Sequence, residues 1–314
     1  MKIVIWGHKL SKTRHTQAYI HYGFSRAFAA IGHEVSWLDN DDDVSGMNFD
    51  NCTFLTEGQV DGKIPLNKSC RYVVHNGSEE KYTGLHKLNI QIFHNAIASN
   101  ISLYHPTFST NKPLLKINDY TYVTSDTCVP TLYQPWATDL LPDEIKLENA
   151  RNEMNNRECV WVGSYGDRTT EFQNTVELDL FFEECRKNDM AVTIVNPWTN
   201  PISNQVNRRM VNHAFMAPSI QGPWQVKYGY APQCRILKNI SYGHMGITNN
   251  HLVNSLFDNK LVCDEDCVKL FYKSLEKKND PRLLDEIRFI MSEVKEKHTF
   301  VNRAETILGV LGES

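Results

Sequence analysis

Cys159-Val160-Trp161-Val162-Gly163-Ser164-Tyr165-Gly166-Asp167-Arg168 stands at the middle of the chain: a short apolar run, closed by glycine, that opens into a polar loop. A run of this length bounded by turn residues reads as a buried strand, and Phe172, Val176, Leu180 and Phe181 behind it predict the apolar face of a helix. The same cycle has already run once at the start of the chain. Lys2 to Trp6 reads as a strand, Gly7 to Thr16 as a polar loop, and Glu34 to Leu38 as a second strand. Between them Tyr19, Ile20, Tyr22, Phe24, Ala27, Phe28 and Ile31 recur at three- and four-residue intervals, with Gly32 where a left-handed helix cap belongs. A strand–helix–strand pattern that restarts at mid-chain predicts an α/β protein of two Rossmann-like domains with mainly parallel sheets.

Outward from these anchors, further strands are expected at Thr53 to Leu55, Cys70 to His75, Leu88 to Phe93 and Tyr120 to Val123. Pro130 to Arg157 is punctuated by proline and then charged, and reads as a crossing between domains. The second half continues with strands at Ala191 to Val195, Met216 to Ile220 and Gly246 to Thr248, and helices around Gln205 to Asn212 and Gln233 to Tyr242. A stripe of Leu283, Leu284, Ile287, Ile290, Met291 and Val294, then Phe300 to Leu311, makes the tail helical. The expected division is an N-terminal domain over 1–135, a linker over 136–158, a second domain over 159–280 and C-terminal helices over 281–314.

Composition limits what such a protein does. The 314 residues contain no window near the roughly 18 uncharged apolar residues that a membrane helix needs. The first residues read as a strand rather than a signal peptide, so a cytoplasmic location is expected. With 33 Lys+Arg against 37 Asp+Glu the formal net charge is −4, and with no bulk basic excess nucleic acid is expected not to be a partner. The 8 cysteines are scattered, and Cys263 and Cys267 lack the second ligand pair of a closed zinc site.

Chemistry in open α/β folds gathers at the carboxyl ends of the strands. There the glycines of Gly163-Ser164-Tyr165-Gly166-Asp167-Arg168 admit a ligand close to the backbone, ahead of a helix start that favours an anion. Arg235 and Lys238, three apart on the predicted helix after Gln233, share a face where they meet an anionic ligand or, alternatively, form a solvated surface. Trp198 and Trp224 sit in loops where an indole stacks on a base or sugar, or packs on its own prolines. Asp39-Asn40-Asp41-Asp42-Asp43 reads as a solvated turn, the alternative being a metal-binding acidic motif.

Three ordered segments of the second half resemble the CgeB-type branch of the GT-B glycosyltransferases and their family 1-type C-terminal domain. They are Val160 to Arg168; Cys234-Arg235-Ile236-Leu237-Lys238-Asn239-Ile240-Ser241-Tyr242-Gly243 with its Gly246-Ile247-Thr248 strand; and His298 to Leu308. Ala27 to Val35 is similar to the first helix-to-strand turn of the acceptor domains of that fold. The resemblance implies two Rossmann-like domains facing each other across a cleft, and transfer of a sugar from a nucleoside diphosphate to an acceptor hydroxyl with no essential metal or other cofactor. The implied donor-binding positions are Gly163, Ser164, Tyr165 and Arg168, then Ser219, Ile220 and Gln221, then Arg235 and Lys238, then Asn249 and Asn250. Lys238 stands where many retaining members carry an acid. A general base for the acceptor is sought among the strand-end residues His8, His15, His94 and Asp126. Two alternatives are a metal-dependent GT-A-like transferase using Asp41 to Asp43, and a catalytically inactive nucleotide-binding module.

Overall fold

β1 (Lys2–Trp6) and β2 (Glu34–Leu38) pair in parallel through α1 (Thr16–Ala30), and Gly32 leaves the helix at φ 89°, in the left-handed region that glycine supplies. This computed structural model describes residues 1–9, 16–58, 60–75, 80–91, 114–118, 120–124, 129–165, 174–197, 199–227 and 233–312. The chain divides into one unit of Met1–Leu141 with Phe300–Ser314 and a second of Pro142–Thr299.

In the first unit, β1 and β2 are joined by β3 (Thr53–Glu57), β4 (Arg71–His75), β5 (His86–Gln91), β6 (Leu114–Asn118), β7 (Thr121–Thr124) and β8 (Thr131–Tyr133). The strand order is β2-β1-β3-β4-β5-β8-β7-β6, parallel as far as β8 and antiparallel across β8, β7 and β6. Val4, Trp6, Phe54, Tyr72, Val74 and Tyr82 pack one core. Two expectations change here. Thr131–Tyr133, in the proline-punctuated stretch read as a crossing although inside the 1–135 division, is a sheet strand, and residues 131–140 are all buried. The four residues between Pro130 and Pro135 give too short a run to show period-two alternation. The second change concerns the C-terminal helix α9 (Phe300–Val310), which packs on α1 of this unit, its Phe300 ring 4.8 Å from that of Phe24.

The second unit pairs β9 (Glu158–Val162) with β10 (Ala191–Val195), and β11 (Ile247–Thr248) with β12 (Val262–Cys263), all in parallel. Residues 216–219 run between the pairs, bridging Cys159 to Met216 and Ser219 to Thr248. Its remaining helices are α2 (Thr175–Lys187), α3 (Asn204–His213), α4 (Pro223–Lys227), α5 (Cys234–Ser241), α6 (His251–Ser255), α7 (Cys267–Lys277) and α8 (Leu283–Lys297). The helix after β9 turns a different face inward from the one expected: Leu178, Phe181, Phe182 and Cys185 are buried, whereas Val176 and Leu180 are 54% and 43% exposed. Packing against α7 and β10 selects that face, and a 3.6-residue period is compatible with either. No helix among the described residues is long and apolar enough to cross a membrane.

Candidate functional site

Because the strands of the second unit are parallel, Val162, Ser219 and Thr248 end at the same edge of their sheet. β9 is apolar throughout its buried length because helices cover both faces of such a sheet. The Gly163 N–H donates to Val195 O at 2.9 Å, the last rung of the ladder to β10. The carbonyl of Val162, one residue earlier, is taken by a side chain: Arg235 Nε donates to it at 3.1 Å.

Arg235 is the second residue of α5, and three neutral groups hold its guanidinium. Besides Val162 O, they are Gln233 Oε1, which accepts from Nη1 at 2.8 Å, and the Trp161 ring, whose centre lies 3.7 Å away. No carboxylate among the described residues pairs with it. Burial lowers its pKa to about 10, which still leaves it protonated at neutral pH. A Cβ on Gly163 would stand 2.0 Å from Arg235 Nη2, so only glycine leaves room for the guanidinium here. Nothing acidic occupies the first turn of α5, and the Gln233 side chain makes no capping bond to it. The half-buried cation therefore sits beside uncapped helix N–H groups at the edge of the sheet, where an anion is favoured.

The other implied donor positions divide into three groups. Ser164 is exposed, while Tyr165 turns back onto α2, its hydroxyl donating to Asp179 Oδ1 and its ring 6.0 Å from Phe182. Lys238 is only 7% exposed, so the solvated-face alternative fails for it. Gln221, Asn249 and Asn250 are buried and interlocked. Asn249 accepts from Gln221 N and donates to Gln221 O, both at 2.8 Å, and Asn250 donates to Gln221 Oε1 while capping α6 through Leu252 N at 2.9 Å. These amides fix the loop after Ser219. Arg168 and Trp198 lie outside the described residues, as do His15, His94 and Asp126, whereas Trp224 falls in α4.

In the first unit, the strand-end candidate His8 stands beside groups that pattern reading missed: Glu57, His75 and His21. His8 Nε2 lies 3.8 Å from the fully buried Glu57, the last residue of β3. Behind it, His75 at the end of β4 and His21 on α1 bring their Nε2 atoms to 3.1 Å. Burial lowers the pKa of His8 and takes that of His75 to about 3, so both imidazoles are neutral at pH 7. The expected β3 ended at Leu55, two residues before Glu57, which hid the strand end.

Asp39 to Asp43 form a self-capped turn. Asp42 accepts from the Asp39 N–H at 2.6 Å and from Lys9 Nζ at 2.8 Å, and Asp39 and Asp43 accept the N–H groups of Asp41 and Ser45 at 2.9 and 3.0 Å. These bonds match the reading of the cluster as a turn. No group of three or more His, Cys, Asp or Glu side chains that would hold a metal ion occurs among the described residues.

No protein-family model and no curated protein matches the chain. Solved structures do. An α-glucosyltransferase (AGT) in complex with UDP aligns with TM-score 0.60 at 11% identity, over 99% of this chain and 98% of that one. The same enzyme with UDP and a 13-mer DNA containing an HMU base gives 0.62 at 10%, with the same coverage. A structure described as trehalose-6-phosphate from E. coli bound with UDP-2-fluoro glucose gives 0.55 at 9%, over 100% and 99%. AviGT4, a glycosyltransferase of avilamycin A biosynthesis, gives 0.54 at 10%, over 98% and 96%. The fold is the GT-B fold of two Rossmann-like units. The narrower resemblance to the CgeB-type branch finds no matching family model.

One expectation is overturned. Nucleic acid was excluded on a net charge near zero, yet AGT, which shares this fold, is found in complexes with DNA. Net charge sums over the whole surface, whereas contact with a phosphate backbone needs only a local basic face, so the sum does not decide the matter.

Proposed function

We propose that the protein is a glycosyltransferase that moves a sugar from a nucleoside diphosphate to an acceptor hydroxyl. The observation that carries this reading is Arg235: a half-buried guanidinium, held among the described residues by neutral groups alone, at the carboxyl edge of a parallel sheet. As the glycosidic C–O bond breaks, negative charge grows on the departing diphosphate, and a cation already positioned and desolvated stabilises it with little reorganisation. UDP and UDP-2-fluoro glucose in structures of the same fold support a uridine donor.

In this reading Gly163, Arg235, Lys238 and the undescribed Arg168 serve the diphosphate, and the loop 219–222 serves the base. His8, neutral and backed by Glu57, remains with His15, His94 and Asp126 a candidate to bind or deprotonate the acceptor hydroxyl. No essential cofactor is invoked. Calorimetry with UDP, GDP, dTDP and CMP tests the reading. At least one nucleotide is expected to bind, and Arg235→Ala is expected to weaken it at least tenfold, about 1.4 kcal/mol. A folded protein that binds none of them would overturn the proposal. Transfer is then assayed against glycans, small hydroxyl compounds and DNA.

A further inference from the structure

Two glutamines join the loop after Ser219 to Arg235. Gln225, on α4, accepts at Oε1 from the Gly222 N–H at 3.1 Å and from Gln233 Nε2 at 3.2 Å. Gln233, just before α5, accepts at Oε1 from Arg235 Nη1 at 2.8 Å, and Arg235 Nε reaches Val162 O. The direction of this chain is fixed at both ends. A guanidinium and a backbone N–H only donate, so Gln233 must turn its oxygen to Arg235 and its NH2 to Gln225, whose oxygen then faces both of its donors.

The chain starts from a fixed point and ends at Arg235. Gln221, next to Gly222, is clamped by Asn249 on both its N–H and its carbonyl. At the other end the bonds from Nε and Nη1 leave the Nη2 end of Arg235 without a hydrogen-bond partner among the described residues, lying against Gly163. Both glutamines are only half-buried; Gln225, the third residue of α4, also reaches back to the N–H ahead of that helix, whereas Gln233 makes no side-chain capping bond to α5, so Gln233 is the cleaner test of the link to Arg235.

We propose that Gln225 and Gln233 are positioning residues that hold Arg235 in its anion-binding pose and tie that pose to the loop 219–222, so that the base side and the diphosphate side of a bound nucleotide are set together. The proposal rests on the donor-site reading above. It predicts that Gln233→Leu weakens UDP about two- to tenfold, the worth of one hydrogen bond, and weakens UMP less. Gln233→Glu still offers Arg235 an acceptor but pairs it with a carboxylate, so its loss of UDP affinity should exceed that of the leucine variant. Gln225→Leu should follow Gln233→Leu in direction.

The experiment is calorimetric titration of UDP and UMP into wild type, these three variants, Arg235→Ala and the double variant Arg235→Ala/Gln233→Leu, with thermal unfolding as a fold control. A relay acting through Arg235 predicts that Gln233→Leu has no further effect once Arg235 is gone. Additive losses in the double variant, or folded Gln233→Leu and Gln233→Glu variants that bind UDP as wild type does, overturn the relay and leave the donor site standing. Wild type that binds no nucleoside diphosphate overturns the donor-site reading and the relay with it.

Discussion

Arg235 carries a charge that no carboxylate among the described residues neutralises, and Gly163 is the residue that makes room for it. A methyl group at 163 would meet the far end of a flexible side chain rather than backbone, so it is accommodated by moving the guanidinium. Gly163→Ala is therefore expected to leave the melting temperature within a degree or two and to weaken nucleotide binding by about fivefold, the scale of one charge-assisted contact. Calorimetry beside thermal unfolding separates the two effects. Gly243 behaves in the opposite way: it sits at φ 97°, and a Cβ there would stand 2.1 Å from the backbone oxygen of Asn149. Gly243→Ala is expected to destabilise by about 1–3 kcal/mol or more, read as a lower denaturation midpoint. At this scale the sequence was partly informative. Gly163 and Arg235 stood out by residue type and position, whereas Gln225 and Gln233 carry no charge and no spacing rule, and only their hydrogen bonds distinguish them.

Among the elements, those with strong periodicity were legible to the residue: β1, β2 and β10 have the bounds read from the sequence. Of the strands of two or three residues, β11 was read within one residue as Gly246 to Thr248, whereas β8 and β12 were not, because they are set by pairing with other strands and show no pattern of their own. The α2 face failed for a related reason, since the sequence offers two apolar stripes and tertiary packing chooses between them. The α1–α9 contact gives an element-scale prediction. Phe300 packs against both Tyr19 and Phe24, and its ring lies where any side chain at Gly23 would begin. Phe300→Ala is expected to cost about 3–5 kcal/mol in denaturant unfolding, and Gly23→Ala to be destabilising in the same assay.

On the scale of the whole molecule, each unit buries a neutral histidine: His75 in the first and His244 in the second, both with pKa lowered to about 3 chiefly by burial. An unfolded chain binds a proton at these sites near pH 6.5 while the folded chain does not, so unfolding takes up protons and stability falls as pH drops from about 6.5 toward 3. Each histidine contributes a slope approaching about 1.4 kcal/mol per pH unit in that window. Urea midpoints measured between pH 7 and 5 should decline, and His244→Asn should flatten the decline; a pH-independent midpoint would count against both assignments.

The return of α9 to the first unit also bears on how the protein is made. The chain leaves that unit at Leu141 and re-enters it at Phe300, so a ribosome must translate the whole of the second unit before Phe300, which packs on Phe24, exists. Until then the nascent first unit keeps an apolar groove along α1 open, a binding site for chaperones and a point of aggregation if synthesis stalls. Helix α9 thus acts as a checkpoint: only a chain translated through its second unit can close its first.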